Sequence, residues 1–177
     1  MEGKPSLKEF STFGNPNFLC SYKLSDGSLV NVDIMDTAGQ ERYKALNLSY
    51  YRKADCCLLV YDITNKKSFD EIKNYYSEKI KENCKQNIQV ILLGNKTDLL
   101  EDREVLSEEG AKLALDNNYI FMETSCLKNE NVASAFETLI EITNIETKKN
   151  ENIKNSNIKD LNIENNNNNN NNKGGCC

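Results

Sequence analysis

The residues best suited to chemistry lie in one short stretch, Asp36-Thr37-Ala38-Gly39-Gln40-Glu41. It directly follows an alternating run at 29–35 that is typical of a half-buried strand. Ligands of open α/β sheets bind at the carboxyl ends of strands. Here Asp36 can hold a metal-bound water, Gly39 lets the backbone approach a phosphate, and Gln40 can orient an attacking water. The stretch therefore predicts part of a phosphate and metal site.

Two further strand ends carry polar signatures. Asn95-Lys96-Thr97-Asp98 follows one buried apolar run, and Thr124-Ser125-Cys126 follows another. Asp98 can accept hydrogen bonds from the guanine N1–H and 2-amino group together, a match that adenine does not offer. The stem of Lys96 can lie over the base plane, and Asn95 can support O6 and the neighbouring loops. The alternative is a polar surface loop, which the presence of three such signatures at strand ends makes less favoured.

Strands alternate with amphipathic helical patterns along the chain, which is typical of an α/β fold with a doubly wound, mostly parallel sheet and helices on both faces. The predicted elements are an antiparallel hairpin at 18–24 and 29–35, strands at 56–61, 88–94 and 119–123, and helices at 67–83, 107–116 and 131–145. Adjacent residues of a strand point to opposite faces. Cys56 and Cys57 are therefore expected to be packing residues rather than a redox pair.

Composition excludes several classes of protein. The chain has 177 residues and a net charge of −5, with 22 Lys and Arg against 27 Asp and Glu, which argues against a general nucleic-acid binder. No run of 18 apolar residues predicts a transmembrane helix, and the first residues lack the pattern of a signal peptide. Seven irregularly spaced cysteines indicate reduced thiols. The absence of His excludes Cys/His catalysis and His-ligated zinc.

The last part of the chain differs from the rest in composition. From Thr147 the apolar content falls, and residues 165–172 are all Asn, which predicts disorder. We therefore divide the chain into one domain at 1–146 and a tail at 147–177 that ends in Lys173-Gly174-Gly175-Cys176-Cys177.

Together these motifs resemble the Rab family of the Ras superfamily, over about residues 11–146. The resemblance is carried by Asp-Thr-Ala-Gly-Gln-Glu-Arg-Tyr at 36–43, Ser-Tyr-Tyr-Arg at 49–52, Leu-Val-Tyr-Asp-Ile-Thr at 59–64 and Gly-Asn-Lys-Thr-Asp-Leu at 94–99. It implies a Ras-like fold and a GTP hydrolase. Such a protein regulates vesicle traffic through GTP-dependent effector binding.

The resemblance also implies which residues form the site. Gln40 is expected to be the catalytic residue, and Thr12 and Asp36 are expected to bind Mg²⁺. The residues expected to bind GTP or GDP are Thr12, Asp36, Thr37, Ala38, Gly39, Gln40, Asn95, Lys96, Thr97, Asp98, Ser125 and Cys126. Where the family usually has alanine and then lysine after the serine of the last motif, this chain has Cys126 and Leu127.

Partners follow from the same resemblance. Phe18, Met35 and Tyr50 match the aromatic cluster that binds effectors, with Met35 in place of the usual tryptophan. Exchange factors, GTPase-activating proteins, the GDP-dissociation inhibitor and prenylation escort proteins are further expected partners, and no nucleic acid is. Cys176 and Cys177 are expected to carry geranylgeranyl groups, since two lipids anchor stably where one is marginal. The expected location is the cytoplasmic face of membranes, with a cytosolic fraction.

One part of the family pattern is missing from the sequence. A Ras-type domain begins with a strand, a phosphate loop and a helix, which need about 30 residues, and too few residues precede Thr12. Gly3-Lys4-Pro5-Ser6 does not complete a phosphate loop, and Lys4 is expected to be solvated. We therefore expect a domain that is incomplete at its N-terminus, with unpaired strand edges between 29–35 and 56–61.

The missing loop also bears on function. Loss of about four hydrogen bonds to charged groups, at ~1.5–3 kcal/mol each, predicts weak or no GTP binding. Two alternatives stay open: a non-catalytic Rab-like interaction protein, and the product of an incomplete gene model or degenerate gene.

Overall fold

The structure, a computed structural model, describes residues 17–36 and 50–150. Several residues singled out above lie outside the described ranges: Lys4, Thr12, Thr37, Ala38, Gly39, Gln40, Cys176 and Cys177.

The first described element is the predicted antiparallel hairpin. Strand β1 (Asn17–Lys23) pairs with strand β2 (Leu29–Met35). In the turn, the backbone N–H of Leu24 donates to the carbonyl of Ser28 at 2.8 Å. Gly27 has a φ of 86°, a left-handed conformation that glycine adopts without a Cβ clash. The alternating pattern and the turn residues thus give the hairpin that they predict.

A second sheet contains three parallel strands in the order β3, β4, β5, namely Cys56–Asp62, Gln89–Asn95 and Ile120–Thr124. All five interior residues of β4 are buried. Near-continuous apolar runs are typical of such strands because helices cover both faces of a parallel sheet. The α/β expectation is confirmed.

Helices cover both faces of this sheet. They are α1 (Lys66–Glu71), a π-helical turn (Ile72–Tyr76), α2 (Ser77–Asn83), a 3-10 helix (Thr97–Asp102), α3 (Ser107–Asn117) and α4, which is helical over 132–150, with a short helical segment at 50–53. Helix α4 continues to residue 150, beyond the end expected at 145. There Thr147 donates its hydroxyl to the carbonyl of Thr143 at 2.9 Å.

The π-helical turn changes which side chains of its helix are buried. The N–H of Ser77 donates to the carbonyl of Ile72, five residues back. This turn therefore contains one more residue than an α-helical turn would. The sequence pattern predicts Tyr76 on the buried face. Tyr76 does pack against the core and is half-buried, and the extra residue places Ser77 beside it in a buried position that the pattern did not predict.

Two hydrophobic clusters lie on the two faces of the parallel sheet. One includes Leu59, Tyr61 and Phe69, with Cys57 packed against it. The other includes Ile91, Leu93, Ala135 and Leu139, with Cys56 packed against it. Adjacent cysteines therefore enter opposite faces, and burial raises the pKa of both thiols. This agrees with the expectation that Cys56 and Cys57 are packing residues.

In the part of the chain that the structure describes, the hairpin and the parallel sheet form two separate sheets. Within the described residues, β2 pairs only with β1 and β3 pairs only with β4. Val60 of β3 is 53% exposed, and the predicted gap between these two strands stays a prediction. Helix α4 holds the hairpin: Glu141 accepts a hydrogen bond from the N–H of Ser25 at 2.6 Å.

Candidate functional site

The three parallel strands end side by side. Asp62 is in register with Asn95, and Asn95 is in register with Thr124. Each of these residues is the last of its strand, so their polar side chains stand at one edge of the sheet. This edge is where ligands of open α/β sheets bind.

Asn95 links the ends of β4 and β5. Its Oδ1 accepts a hydrogen bond from the hydroxyl of Thr124 at 3.2 Å and one from the backbone N–H of Cys126 at 3.3 Å. Thr97, two residues on, donates its hydroxyl to the carbonyl of Thr124 at 3.2 Å. The 95–98 and 124–126 loops are therefore held together by bonds in both directions.

Asp98 and Ser125 form the centre of the arrangement. The hydroxyl of Ser125 is fully buried and donates to Oδ1 of Asp98 at 2.5 Å. The same hydroxyl accepts from the backbone N–H of Lys128 at 3.1 Å. A pair of backbone bonds between Ser125 and Glu130 closes this loop. Among residues 17–36 and 50–150, no donor reaches Oδ2 of Asp98, which is left for a ligand.

Lys96 lies beside this pair in an unusual backbone conformation. Its φ of 73° and ψ of 38° are left-handed, which is uncommon for a residue with a long side chain. Its Nζ lies 2.6 Å from Oδ2 of Asp62. The hydrogen bond from Lys96 to Asp62 raises the pKa of the ammonium. Partial burial alone would raise the pKa of Asp62. The bonds of Asp62 to Lys96 and Thr64 lower that pKa by a larger amount, so the pKa of Asp62 is lowered overall.

Comparison with known proteins identifies the fold that carries this edge. A family model described as Ras family matches residues 5–145, which is most of the chain. The chain belongs to the Ras family.

Within the family, the similar proteins are Rab proteins. Ras-related protein Rab-8A of Bos taurus is 48% identical over 114 residues, which is 64% of this chain and 55% of the relative. Ras-related protein Rab-8B of Homo sapiens is 46% identical over 125 residues, 71% of this chain and 59% of the relative. The chain thus spans less than two thirds of the length of these relatives. The likeness confirms the Rab-family assignment, and the Ras-like α/β fold is confirmed with it.

The structure brings together all of the predicted base-binding residues of this Ras-family chain: Asn95, Lys96, Thr97, Asp98, Ser125 and Cys126. Within this group the N–H of Cys126 donates to the Asn95 side chain, and the roles of these six residues in base binding stay predictions.

The phosphate and metal side of the predicted site is described only in part. Asp36 is exposed just beyond the end of β2. In the described ranges, no three His, Cys, Asp or Glu residues come together as a metal site. Of the two residues predicted to bind Mg²⁺, Asp36 lies in the described ranges and Thr12 does not, so the magnesium site stays a prediction.

The predicted effector cluster is not on one face of the hairpin. The register places Phe18 opposite Ile34 and Met35 opposite Asn17, so Phe18 and Met35 point to opposite faces. Both are half-buried, as is Tyr50 at the start of the helical segment at 50–53. The role of these three residues in effector binding stays a prediction.

Sequence reasoning gave no role to Asp62, and it named Thr124 in a polar signature without assigning it a contact. Both were visible as polar residues directly after an apolar run, the same signal that drew attention to Asp36 and Asn95.

No helix in the described part of the chain is both long and apolar enough to span a bilayer.

Proposed function

We propose that this chain is a Rab-type small GTPase that recognises guanine through the 95–98 and 124–126 loops and acts in vesicle traffic. The observation that carries the proposal is the hydrogen bond from Ser125 to Asp98, at 2.5 Å. It fixes the Asp98 carboxylate through one oxygen and leaves the other for a ligand.

The chemistry of Asp98 selects guanine over adenine. A carboxylate accepts two parallel N–H bonds, and guanine presents N1–H and its 2-amino group side by side. Adenine has an unprotonated N1 at the equivalent place and would meet the carboxylate with a lone pair. Lys96 is charged and long enough to cover one face of a purine.

The phosphate side is proposed to be weak. Asp36 and Gln40 would act on a γ-phosphate and its Mg²⁺, with Thr12 as a further ligand. The printed sequence contains no Gly-x4-Gly-Lys-[Ser/Thr] segment to supply backbone N–H groups and a lysine to the phosphates. We therefore expect base recognition to persist while GTP binds weakly or not at all.

The test uses ¹⁵N-labelled chain and two mononucleotides, GMP and AMP, at millimolar concentration. The expected result is saturable shifts of the amides of 95–98 and 124–128 with GMP and none with AMP. Equal responses to the two nucleotides, or no response to GMP, would contradict guanine recognition. A fluorescent GTP analogue with Mg²⁺ tests the phosphate side, where sub-micromolar affinity would contradict the expected weakness.

A second candidate is a Rab-like interaction protein that does not bind nucleotide and competes for effectors or for the prenylation machinery. The observation that favours it is that side chains of the proposed base site are bonded to other residues of the same sheet edge. Lys96 pairs with Asp62, and Asn95 accepts from Cys126. A stable, monomeric and nucleotide-free fold by circular dichroism and sedimentation, without a GMP response, would support this candidate.

Membrane attachment completes the proposal. The domain boundary was expected at residue 146, and because α4 continues to residue 150 we place it at the end of that helix. We assign geranylgeranyl groups to Cys176 and Cys177, which would hold the chain on the cytoplasmic face of a membrane. The partners would be the effectors and regulators of Rab proteins. Intact-mass analysis after incubation with geranylgeranyl diphosphate, escort protein and transferase should show two additions, and the chain with both cysteines changed to serine should show none.

A further inference from the structure

The carboxylate of Asp62 is held by hydrogen bonds within its own loop as well as by the ion pair with Lys96. Its Oδ1 accepts from the backbone N–H and the hydroxyl of Thr64 at 2.9 and 2.8 Å. Its backbone N–H donates to the hydroxyl of Ser68 at 3.1 Å. Only Oδ2 remains, and it takes the ammonium of Lys96 at 2.6 Å. The Asp62 carboxylate therefore has a fixed orientation at the end of β3.

Lys96 is held at both ends. Its backbone is in the left-handed conformation, and its carbonyl accepts from the N–H of Leu99 at 2.9 Å. Its ammonium is held by Asp62, although half of the Lys96 side chain is exposed. A lysine fixed in this way occupies few of the rotamers that a free surface lysine samples. Its stem is thus ordered before any ligand arrives.

We infer that Asp62 is a positioning residue that sets where the Lys96 stem lies over a bound guanine base. The inference rests on the proposed function, since Lys96 covers a base only if these loops bind one. Asp62 acts through Lys96 because its two oxygens are occupied by Thr64 and Lys96. Nucleotide affinity would therefore depend on Asp62 only while Lys96 is present.

The test is a double-mutant cycle on GMP affinity, measured by NMR titration of the full chain. Asp62→Asn should weaken GMP binding about two- to fivefold, the range of a partly exposed ion pair. A decrease in GMP affinity is diagnostic, because loss of a negative charge alone would instead increase the affinity for an anionic nucleotide. In a Lys96→Met background, the same Asp62→Asn change should cause no further loss.

Asp55→Asn is the matched control. Asp55 precedes β3 at its opposite end and pairs with Lys85 on an exposed surface, so the change removes the same charge and one ion pair. It should leave GMP affinity unweakened. A loss equal to that of Asp62→Asn would overturn the inference, because it would show a general effect of charge or folding.

A second readout is independent of ligand. The pKa of the Lys96 ammonium, followed through its ¹³Cε shift, should fall in Asp62→Asn and not in Asp55→Asn. An unchanged pKa would overturn the inference. If the wild-type chain fails to bind GMP, the proposed function and the inference fall together. If wild type binds and Asp62→Asn binds equally well, or its loss persists with Lys96→Met, the inference alone falls.

Discussion

The buried hydroxyl of Ser125 donates to Oδ1 of Asp98, so a residue of the loop after β5 orients the carboxylate that we propose reads a guanine edge. The bond joins residues 27 positions apart in sequence. It turns two loop motifs into one site, since neither loop alone fixes both the position and the rotation of that carboxylate.

Ser125→Ala should weaken GMP binding about tenfold, because a hydrogen bond to a charged group contributes ~1.5–3 kcal/mol. The same hydroxyl accepts from the N–H of Lys128, so the loop at 125–130 should also exchange its amide hydrogens faster. GMP titration followed by NMR measures the first effect. Ser21→Ala is the control, since the Ser21 hydroxyl bonds to Asn31 on the exposed face of the hairpin; it should bind GMP as wild type does. Equal affinity of Ser125→Ala and wild type would show that the bond does not serve the ligand.

Asp98→Asn should remove the preference for guanine. An amide offers one acceptor and one donor, so its NH₂ group would face an N–H of guanine. GMP should lose at least about tenfold in affinity, measured by the same titration, with the fold intact by circular dichroism. Asp102→Asn, at the exposed end of the 3-10 helix, is the matched control and should behave as wild type. Retained GMP binding by Asp98→Asn would assign base recognition to another residue.

Local patterns accounted for most of the fold and for which strand-end residues lie together at one edge of the sheet. Alternation and a glycine turn predicted the hairpin, and continuous apolar runs predicted β3 and β4, because these signals act within a few residues. The π-helical turn escaped prediction, since a single 3.6-residue period cannot show where a residue is inserted. The ion pair of Lys96 with Asp62 also escaped, because it depends on the register of β3 against β4, which no local pattern encodes.

Alkaline pH should destabilise the protein through Cys57. Burial raises the pKa of this thiol to about 12, from an ordinary value of 9.0. Between these values the unfolded chain loses a proton that the folded chain keeps, so stability falls as pH rises, by at most about 1.4 kcal/mol per pH unit for one group. Below pH 9 both states hold the proton and this contribution is constant.

The measurement is urea unfolding of wild type and Cys57→Ala between pH 8 and 11 under reducing conditions. The variant should be less stable at every pH, because it leaves a cavity, but its stability should fall less steeply above pH 9. Cys126→Ala removes an exposed thiol and should keep the wild-type slope. Identical slopes for wild type and Cys57→Ala would show that Cys57 is accessible to hydroxide in the folded state.

Gly110 is needed for the packing of α3 on the parallel sheet. A Cβ at this position would lie 2.4 Å from the hydroxyl oxygen of Tyr61 and 2.5 Å from a ring carbon of Phe121. Tyr61 is buried in the core and Phe121 packs against the same cluster, so we expect a shift of either ring to disturb core packing. Gly110→Ala should therefore lower the free energy of unfolding by about 1–3 kcal/mol, although alanine favours a helix by about 1 kcal/mol. Lys112→Ala, on the exposed side of the same helix, separates packing from propensity and should be neutral within about 0.5 kcal/mol. A Gly110→Ala protein more stable than wild type would mean that α3 can shift away from β3 and β5 at little cost.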